Sequence, residues 1–391
     1  MNAQPFDGIT VLDLTQIYNG PYAAFLMAQA GAEVIKIEPP GGEQLRNRPN
    51  PLPFAMLNAN KQSMVLNLKK PRGKELFLQL AEQADVVIEN FAPGVMQRLG
   101  IGYDVLSARN PRIVFASGSG YGATGPYRDY PAMDVVIQAV SGSICITGFP
   151  DGPPVKNGPA ICDFFGGIHL YGAIVTALFQ RAQTGRGQPV EVAMLDATYF
   201  SLSSQLGMFF ASGETPRTGN RHGGMGVAPM NLYPTRDGYL AVMANSDRDW
   251  MTLLEGIGRT GLAQDPRFLT MKDRCAHMDE LDEEVSAGTR NFGKQELFER
   301  LAAQRLPCAP VRELEEVVND PHLMERGMLA WREHPQFGRM PLPASPLVFP
   351  QQGRVEYQCS RDLGADSAAV LQQRLGLPAS DISALRADGV I

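Results

Sequence analysis

The sequence predicts an α/β fold, with an open, mostly parallel sheet in a large domain followed by a smaller α+β domain. Three observations predict it. The chain has 391 residues, too many for one ordinary core. In the N-terminal third, strand patterns alternate with helical ones, with crossovers long enough to bring each strand back parallel to the last. Beyond residue 231 that alternation gives way to two adjacent strand patterns and then a run of helices.

"ITVLDLT" reads as a short strand, and "GPYAAFLMAQAGA" as a helix opened by Gly-Pro and stopped by glycine. "EVIKIEPP" is a second strand, closed by a proline pair that cannot continue a ladder. "GKELFLQLAEQA" has helical apolar spacing, "DVVIENF" is a strand, "APGVMQRLG" a short helix ended by Gly100, and "RIVFASGSG" a further strand. Residues 164–183 form an apolar helix, and "VAMLDATYFSLSSQLGMFFAS" reads as another. The stretch 212–231, "SGETPRTGNRHGGMGVAPMN", is too rich in glycine and proline for a regular element. It divides a large domain, 1–211, from a small domain, 232–320, with strands "NLYP" and "YLAVMAN" and helices near 247–258, 279–289 and 294–305. Residues 321–391 are proline-rich and end in a short helix, "SAAVLQQRLG", and the tail "SDISALRADG". No internal repeat or low-complexity run is present.

Composition narrows the function. A hydrophobic fraction of 44% and a charged fraction of 19% are those of a globular protein, and a net charge of -6 argues against a nucleic-acid or membrane-surface binder. The five cysteines and five histidines are scattered without C-x-x-C or metal-ligand spacing, so no metal is expected and the thiols suit the cytoplasm. The start, "MNAQPFDGITVLDLT", lacks the basic and apolar regions of a signal peptide, and no apolar run is read as approaching a membrane span. A cytoplasmic protein is expected.

"GYGATG" (120–125) matches G-x-G-x-x-G, but Pro126 follows and no helix opens there to receive a pyrophosphate, so it reads as a loop. Walker A, H-E-x-x-H and G-x-S-x-G patterns are absent. Attention falls on "GPAICDFFGGIHLYGAIVTALF" (158–179), where Asp163 is the one charged residue. On local pattern two readings stay open: an N-cap for the helix that follows, or a nucleophile held at the mouth of that helix.

Several stretches taken together resemble the class III coenzyme A transferases, a superfamily that also holds α-methylacyl-CoA racemase. They run from "VLDLTQIYNGPYAAFLMAQAGAEVIKIEPPGG" through "LNLKKPRGK", "DVVIENFAPGVMQRLG", "NPRIVFASGSGYGATGP" and "DVVIQAVSG" to "GPAICDFFGG", "ALFQRAQTGRGQPVEVAMLDA" and "GNRHGG". They cover most of residues 8–235, in order; the C-terminal region matches loosely. The resemblance implies a Rossmann-like sheet, an interlocked homodimer and a C-terminal segment, 321–391, that returns to the large domain. It implies acyl-CoA and a free carboxylic acid as substrates, with no cofactor beyond coenzyme A, and makes Asp163 the nucleophile. Apolar Cys162, Phe164 and Phe165 would keep water from an acyl-aspartyl anhydride, and a helix N-terminus would help hold the carboxylate ionised.

The same resemblance places Lys69 and Arg98 on coenzyme A, with Leu66, Asn90, Phe91 and Ala92 beside them. It places Tyr18 and Asn19 by the thioester, Met133 and Asp134 near the pantetheine arm, and His222, Gly223 and Gly224 in a glycine-rich flap whose amides can nest an oxyanion. Pro39 stands where related enzymes have an arginine, and Arg46 is the candidate replacement. Arg221 and His222, with Tyr18 and Asn19, hint at a second carboxylate on the substrate and at succinyl-CoA as donor.

Two other functions compete. A racemase needs a base on each face of the α-carbon, and its histidine would stand at Met133, which cannot carry a proton; His222 is the alternative base. A coenzyme A-binding protein without catalysis would show affinity without turnover.

Overall fold

The computed structural model describes residues 3–215 and 217–391; residues 1, 2 and 216, the last in the expected linker, lie outside these. Strands β1 (Thr10–Asp13), β2 (Glu33–Glu38), β3 (Lys61–Val65), β4 (Val86–Glu89), β5 (Val114–Ser119) and β6 (Pro189–Ala193) form one sheet, ordered β3-β2-β1-β4-β5-β6, with every pair parallel. The chain winds outward through β2 and β3, then crosses to the other flank of β1 as β4. Strand order therefore reverses between β1 and β4, and the loops leaving the C-terminal strand ends part there.

Both faces of the sheet are covered, so its central strands read as nearly unbroken apolar runs. Alternate side chains go to opposite cores, with a period of two. Leu12, Ile35, Val87 and Phe115 pack with Phe77, Leu80, Val370, Leu371 and Ile382 on one face. Val11, Val34, Val86, Ile88 and Val114 pack with Ala24, Met27, Leu170, Ile174 and Ala177 on the other.

The chain forms two compact units, Met1–Ser141 with Gly158–Phe200 and Asn319–Ile391, and Gly142–Asn157 with Ser201–Val318. The first holds the parallel sheet and an antiparallel pair, β10 (Leu329–His334) and β11 (Gly338–Pro343). The second holds a three-stranded antiparallel sheet of β7 (Met230–Thr235), β8 (Gly238–Met243) and β9 (Cys308–Pro310). Its core joins Tyr233, Leu240 and Val242 to Trp250, Leu253, Phe268 and Leu281.

Two expectations need correction. The stretch read as one helix from residue 192 begins inside β6 and then breaks into the helices Met194–Tyr199 and Ser203–Ser212 around a 3₁₀ turn, Phe200–Leu202. The helix Ile161–Thr184 runs 24 residues and is long and apolar enough to cross a membrane, contrary to the reading that no run approaches that length. One face of it packs on the sheet through Leu170, Ile174 and Ala177, and Arg181 in its last turn is buried against Asp85 at 2.9 Å.

A buried charge network ties β1, β2 and β3 together. Asp13 is 0% exposed and accepts from Lys61 Nζ at 2.8 Å, while Lys36 Nζ donates to Thr15 O at 2.6 Å. Burial alone would raise the Asp13 carboxyl, but Lys36, Lys61 and its hydrogen bonds outweigh that and hold it below its ordinary value.

Candidate active site

Asp163 lies in the first turn of the helix Ile161–Thr184 and is 8% exposed. It is not the N-cap; Ala160 holds that position and offers no side-chain bond. The cap comes instead from Asp134, at the start of the helix Asp134–Val140, whose Oδ1 accepts from the amides of Cys162 (2.9 Å) and Asp163 (3.2 Å). Its Oδ2 accepts from Gln138 Nε2 at 2.6 Å. With the orphan amides already satisfied by another carboxylate, the Asp163 side chain is not needed to start the helix.

Burial pushes the Asp163 carboxyl up to about 7, and the Asp134 charge adds to the rise. The helix N-terminus, which favours the anion, opposes that rise. Cys162 is fully buried, and burial raises its thiol to about 11, so it stays protonated.

Asp163 opens onto a cavity of about 270 Å³ at the C-terminal edge of the sheet, whose walls include Gln16, Asn19, Asn90, Phe91, Ala92, Gly118, Met133 and Met194. Two further cavities share its walls. One of about 420 Å³ is lined by Asn90, Phe91, Ala92, Arg98, Tyr121 and Arg128. The other, of about 320 Å³, is lined by Gln16, Pro39, Glu43, Leu66, Lys69 and Phe91. Phe91 borders all three. They follow the strand ends on both sides of the reversal between β1 and β4, where α/β sheets bind ligands. A larger cavity of about 920 Å³, against Phe54, His334 and Arg361, does not include Asp163.

The β1 and β4 exits are clasped together. Asn90 Oδ1 accepts from Gln16 N, and Asn90 Nδ2 donates to Gln16 O, both at 2.8 Å. Glu89, just before it, accepts from Phe91 N at 2.8 Å and is pushed up to about 7 by burial. Ile17 follows with φ +67°, a conformation unusual for a β-branched residue and held only by its surroundings. It turns the chain into the helix Asn19–Ala28, so Tyr18 and Asn19 arrive beside Asp163's helix. The Tyr18 ring lies 6.0 Å from that of Phe164, and burial followed by the Asp163 charge raises its hydroxyl pKa.

The structure thus brings Asn19, Leu66, Lys69, Asn90, Phe91, Ala92, Arg98 and Met133 onto the three adjoining cavities with Asp163. Arg46 is committed elsewhere: Nε and Nη2 both bond Glu38, at 2.9 and 2.6 Å, and its guanidinium lies over Phe54. It lines the larger cavity, while Pro39 lines the cavity of Lys69.

His222, Gly223 and Gly224 belong to the second unit. There His222 Nδ1 accepts from the amides of Gly224 (3.2 Å) and Gly226 (3.4 Å), so those glycine donors are spent within the turn rather than forming the open nest expected. Arg221 is engaged by Asp279 and Asp282, at 2.7 Å each, and is not a free cation for a substrate carboxylate. The sequence reading missed Gly118, Ser119 and Met194 as lining residues; the glycines of "SGSG" at a strand end were the available signal.

Parallel strands with helical crossovers, an order that reverses at β1 and β4, and the buried carboxylate of Asp163 on a cavity at the strand ends define an α/β enzyme with its site at the switch point. Residues 6–367 match CoA-transferase family III. The chain is 37% identical to the formyl-CoA:oxalate CoA-transferase of Streptomyces coelicolor, with all of both chains covered. It is 33% identical to the succinate–glutarate CoA-transferase of Agrobacterium fabrum over 94% of this chain and 95% of that one. The crystal structure of a CAIB/BAIF family protein from Brucella suis superposes with a TM-score of 0.85 at 32% identity, covering 95% of this chain and all of the other. The chain belongs to CoA-transferase family III and is a CoA-transferase.

Proposed function

We propose that the enzyme moves coenzyme A from an acyl-CoA donor, with succinyl-CoA the first to try, to a short-chain carboxylic or dicarboxylic acid, with Asp163 as the nucleophile. The observation that carries this is a single carboxylate, 8% exposed, on a small cavity at the strand ends. An Asp163 oxygen attacks the thioester carbonyl and expels the thiolate of coenzyme A, leaving a mixed anhydride. The thiolate then attacks the aspartyl carbonyl, and the donor acid leaves as its carboxylate. The acceptor carboxylate attacks the resulting aspartyl thioester, again expelling thiolate. That thiolate takes the acceptor's acyl carbonyl and frees Asp163. Every intermediate keeps an activated acyl bond.

The residues around it suit these steps. Fully buried Cys162 and the Tyr18–Phe164 contact exclude the water that would hydrolyse an anhydride. Tyr18 is a hydroxyl donor beside the carboxylate. Lys69 and Arg98, on the two flanking cavities, are the cations for coenzyme A's phosphates, and Leu66, Phe91 and Ala92 give the pantetheine arm an apolar wall.

The test is to incubate the protein in D₂O with succinyl-CoA, and separately with branched acyl-CoAs, each with a mixture of free short acids, and to weigh all thioesters by mass spectrometry. New acyl-CoA species without α-deuterium are expected. Deuterium at the α-carbon of a branched substrate without acid exchange overturns the reading in favour of a racemase, and binding of coenzyme A without either product overturns it in favour of a non-catalytic protein.

A further inference from the structure

The chain is acidic overall, with a net charge of -6, yet it gathers cations at one place. "KKPRGK" (69–74) carries Lys69, Lys70, Arg72 and Lys74 with no acidic residue among them. Glu75, the next residue, lies 3.6 Å from Arg109, which also takes Glu82 at 2.9 Å. Among the described residues no carboxylate forms an ion pair with Lys69, Lys70, Arg72, Lys74 or Arg98. Lys70 Nζ donates to the carbonyl of Asp388. The fold gives no reason for the remaining charges. Arg72 and Lys74 open the helix Pro71–Gln83, whose first turn holds no acid. A helix N-terminus favours anions, so two cations there work against stability.

Their surroundings supply the reason. A Cβ at Gly100 would stand 3.3 Å from Lys74 Nζ, so that ammonium lies at the end of the short helix Val95–Leu99, which carries Arg98. Lys69 and Leu99 line the cavity of about 320 Å³, and Arg98 lines that of about 420 Å³. Arg72 and Lys74 line neither of these, nor the cavity of Asp163. They border the two cavities without reaching into them.

We propose that Arg72 and Lys74 are steering residues, which attract the phosphates of coenzyme A through solvent and draw the nucleotide to Lys69 and Arg98 without touching it. The inference rests on the coenzyme A contacts proposed for those two residues. Cations that contact nothing act through their field, which reaches about 30 Å at 0.01 M ionic strength and about 3 Å at 1 M. A cleft bordered by charge of one sign captures an opposite charge about tenfold or more faster at low salt. Steering also explains why cations are kept at a helix end that disfavours them.

The experiment compares the full-length wild type with the double variant Arg72→Glu, Lys74→Glu, and with the neutral pair Arg72→Gln, Lys74→Gln. Calorimetry gives the Kd of coenzyme A, and transfer assays give kcat and KM for succinyl-CoA and for succinyl-pantetheine, which lacks the nucleotide. Each is measured at about 20 mM and about 0.5 M salt. At low salt the glutamate pair is expected to weaken Kd and lower kcat/KM for succinyl-CoA by about tenfold, with the neutral pair in between. At high salt all three proteins should agree within about twofold. kcat, and kcat/KM for succinyl-pantetheine, should not move. The unfolding midpoint of the glutamate pair should be no lower than wild type, because acids suit a helix N-terminus. A wild-type Kd that ignores salt overturns the assignment, as does a deficit that persists at high salt, which marks direct contact. An equal deficit with succinyl-pantetheine overturns it in favour of a structural role. A wild type that binds coenzyme A but transfers it to no acid overturns the chemistry proposed for Asp163 alone, and the calorimetric series then decides this assignment.

Discussion

Replacing Asp163 by asparagine should abolish transfer and at the same time stabilise the fold, and the two effects have one cause. Burial, with a smaller push from Asp134, lifts the Asp163 carboxyl from 3.8 to about 7 in the native state. A carboxyl raised on folding favours the native state while it is protonated in both states, below the unfolded value of 3.8. That contribution drains away as pH rises through about 7. At about 1.4 kcal/mol per pKa unit, the native protein carries a penalty of about 4 kcal/mol once the group is ionised. Asparagine keeps the shape and removes the charge, but its buried NH₂ finds imperfect partners, which returns about 1–2 kcal/mol. The net expectation at pH 8.5 is an Asp163→Asn variant more stable by about 2–3 kcal/mol, with no such gain near pH 4. Urea unfolding followed by circular dichroism, with wild type and variant side by side at four pH values, measures this. A variant no more stable than wild type at pH 8.5 refutes the buried-charge argument. Near-wild-type turnover, with deamidation excluded, refutes the nucleophile.

Asp134→Asn keeps an oxygen for the amides of Cys162 and Asp163 but removes the charge that adds to the rise at Asp163. The pH–rate profile of transfer should therefore shift its rising limb to lower pH, and an unmoved or upward-shifted limb contradicts the coupling. Lys61→Met leaves Asp13 fully buried with only Lys36, 4.0 Å away, as its charge partner. The expected loss is about 3–5 kcal/mol in chemical denaturation, and a loss below about 1 kcal/mol would mean the network does not tie β1 to β3.

How much of this was legible in the sequence depended on whether a residue's environment is local. β1, β2, β4 and β5 were readable because strands buried on both faces are short apolar runs whatever they pair with. β3, "KQSMV", was not, because Lys61 and Ser63 look like surface residues and yet are 4% and 3% exposed. What makes their burial tolerable is Asp13, Asn58 and the backbone carbonyl of Pro21 around Lys61, and Asp366, which takes the Ser63 amide from some three hundred residues away. β6 was hidden for a different reason: it opens with proline at a sheet edge, where proline is tolerated, and its apolar residues ran on into a helical pattern.

The site divides in the same way. Asp163 stood out as a lone charge in an apolar stretch, and the resemblance marked out the residues along coenzyme A's path. The physical state of those residues was not local information. Asp163 looked like a cap because aspartate commonly caps helices, but the capping is done by Asp134, 29 residues earlier in the chain and on a different helix. Freed from that duty, Asp163 has no bond that would pull its pKa down, and burial governs it. Arg46 and Arg221 looked like available cations, and each is consumed by carboxylates of its own unit. Lys69 and Arg98, by contrast, line the two cavities that flank the one at Asp163, where the resemblance expected them.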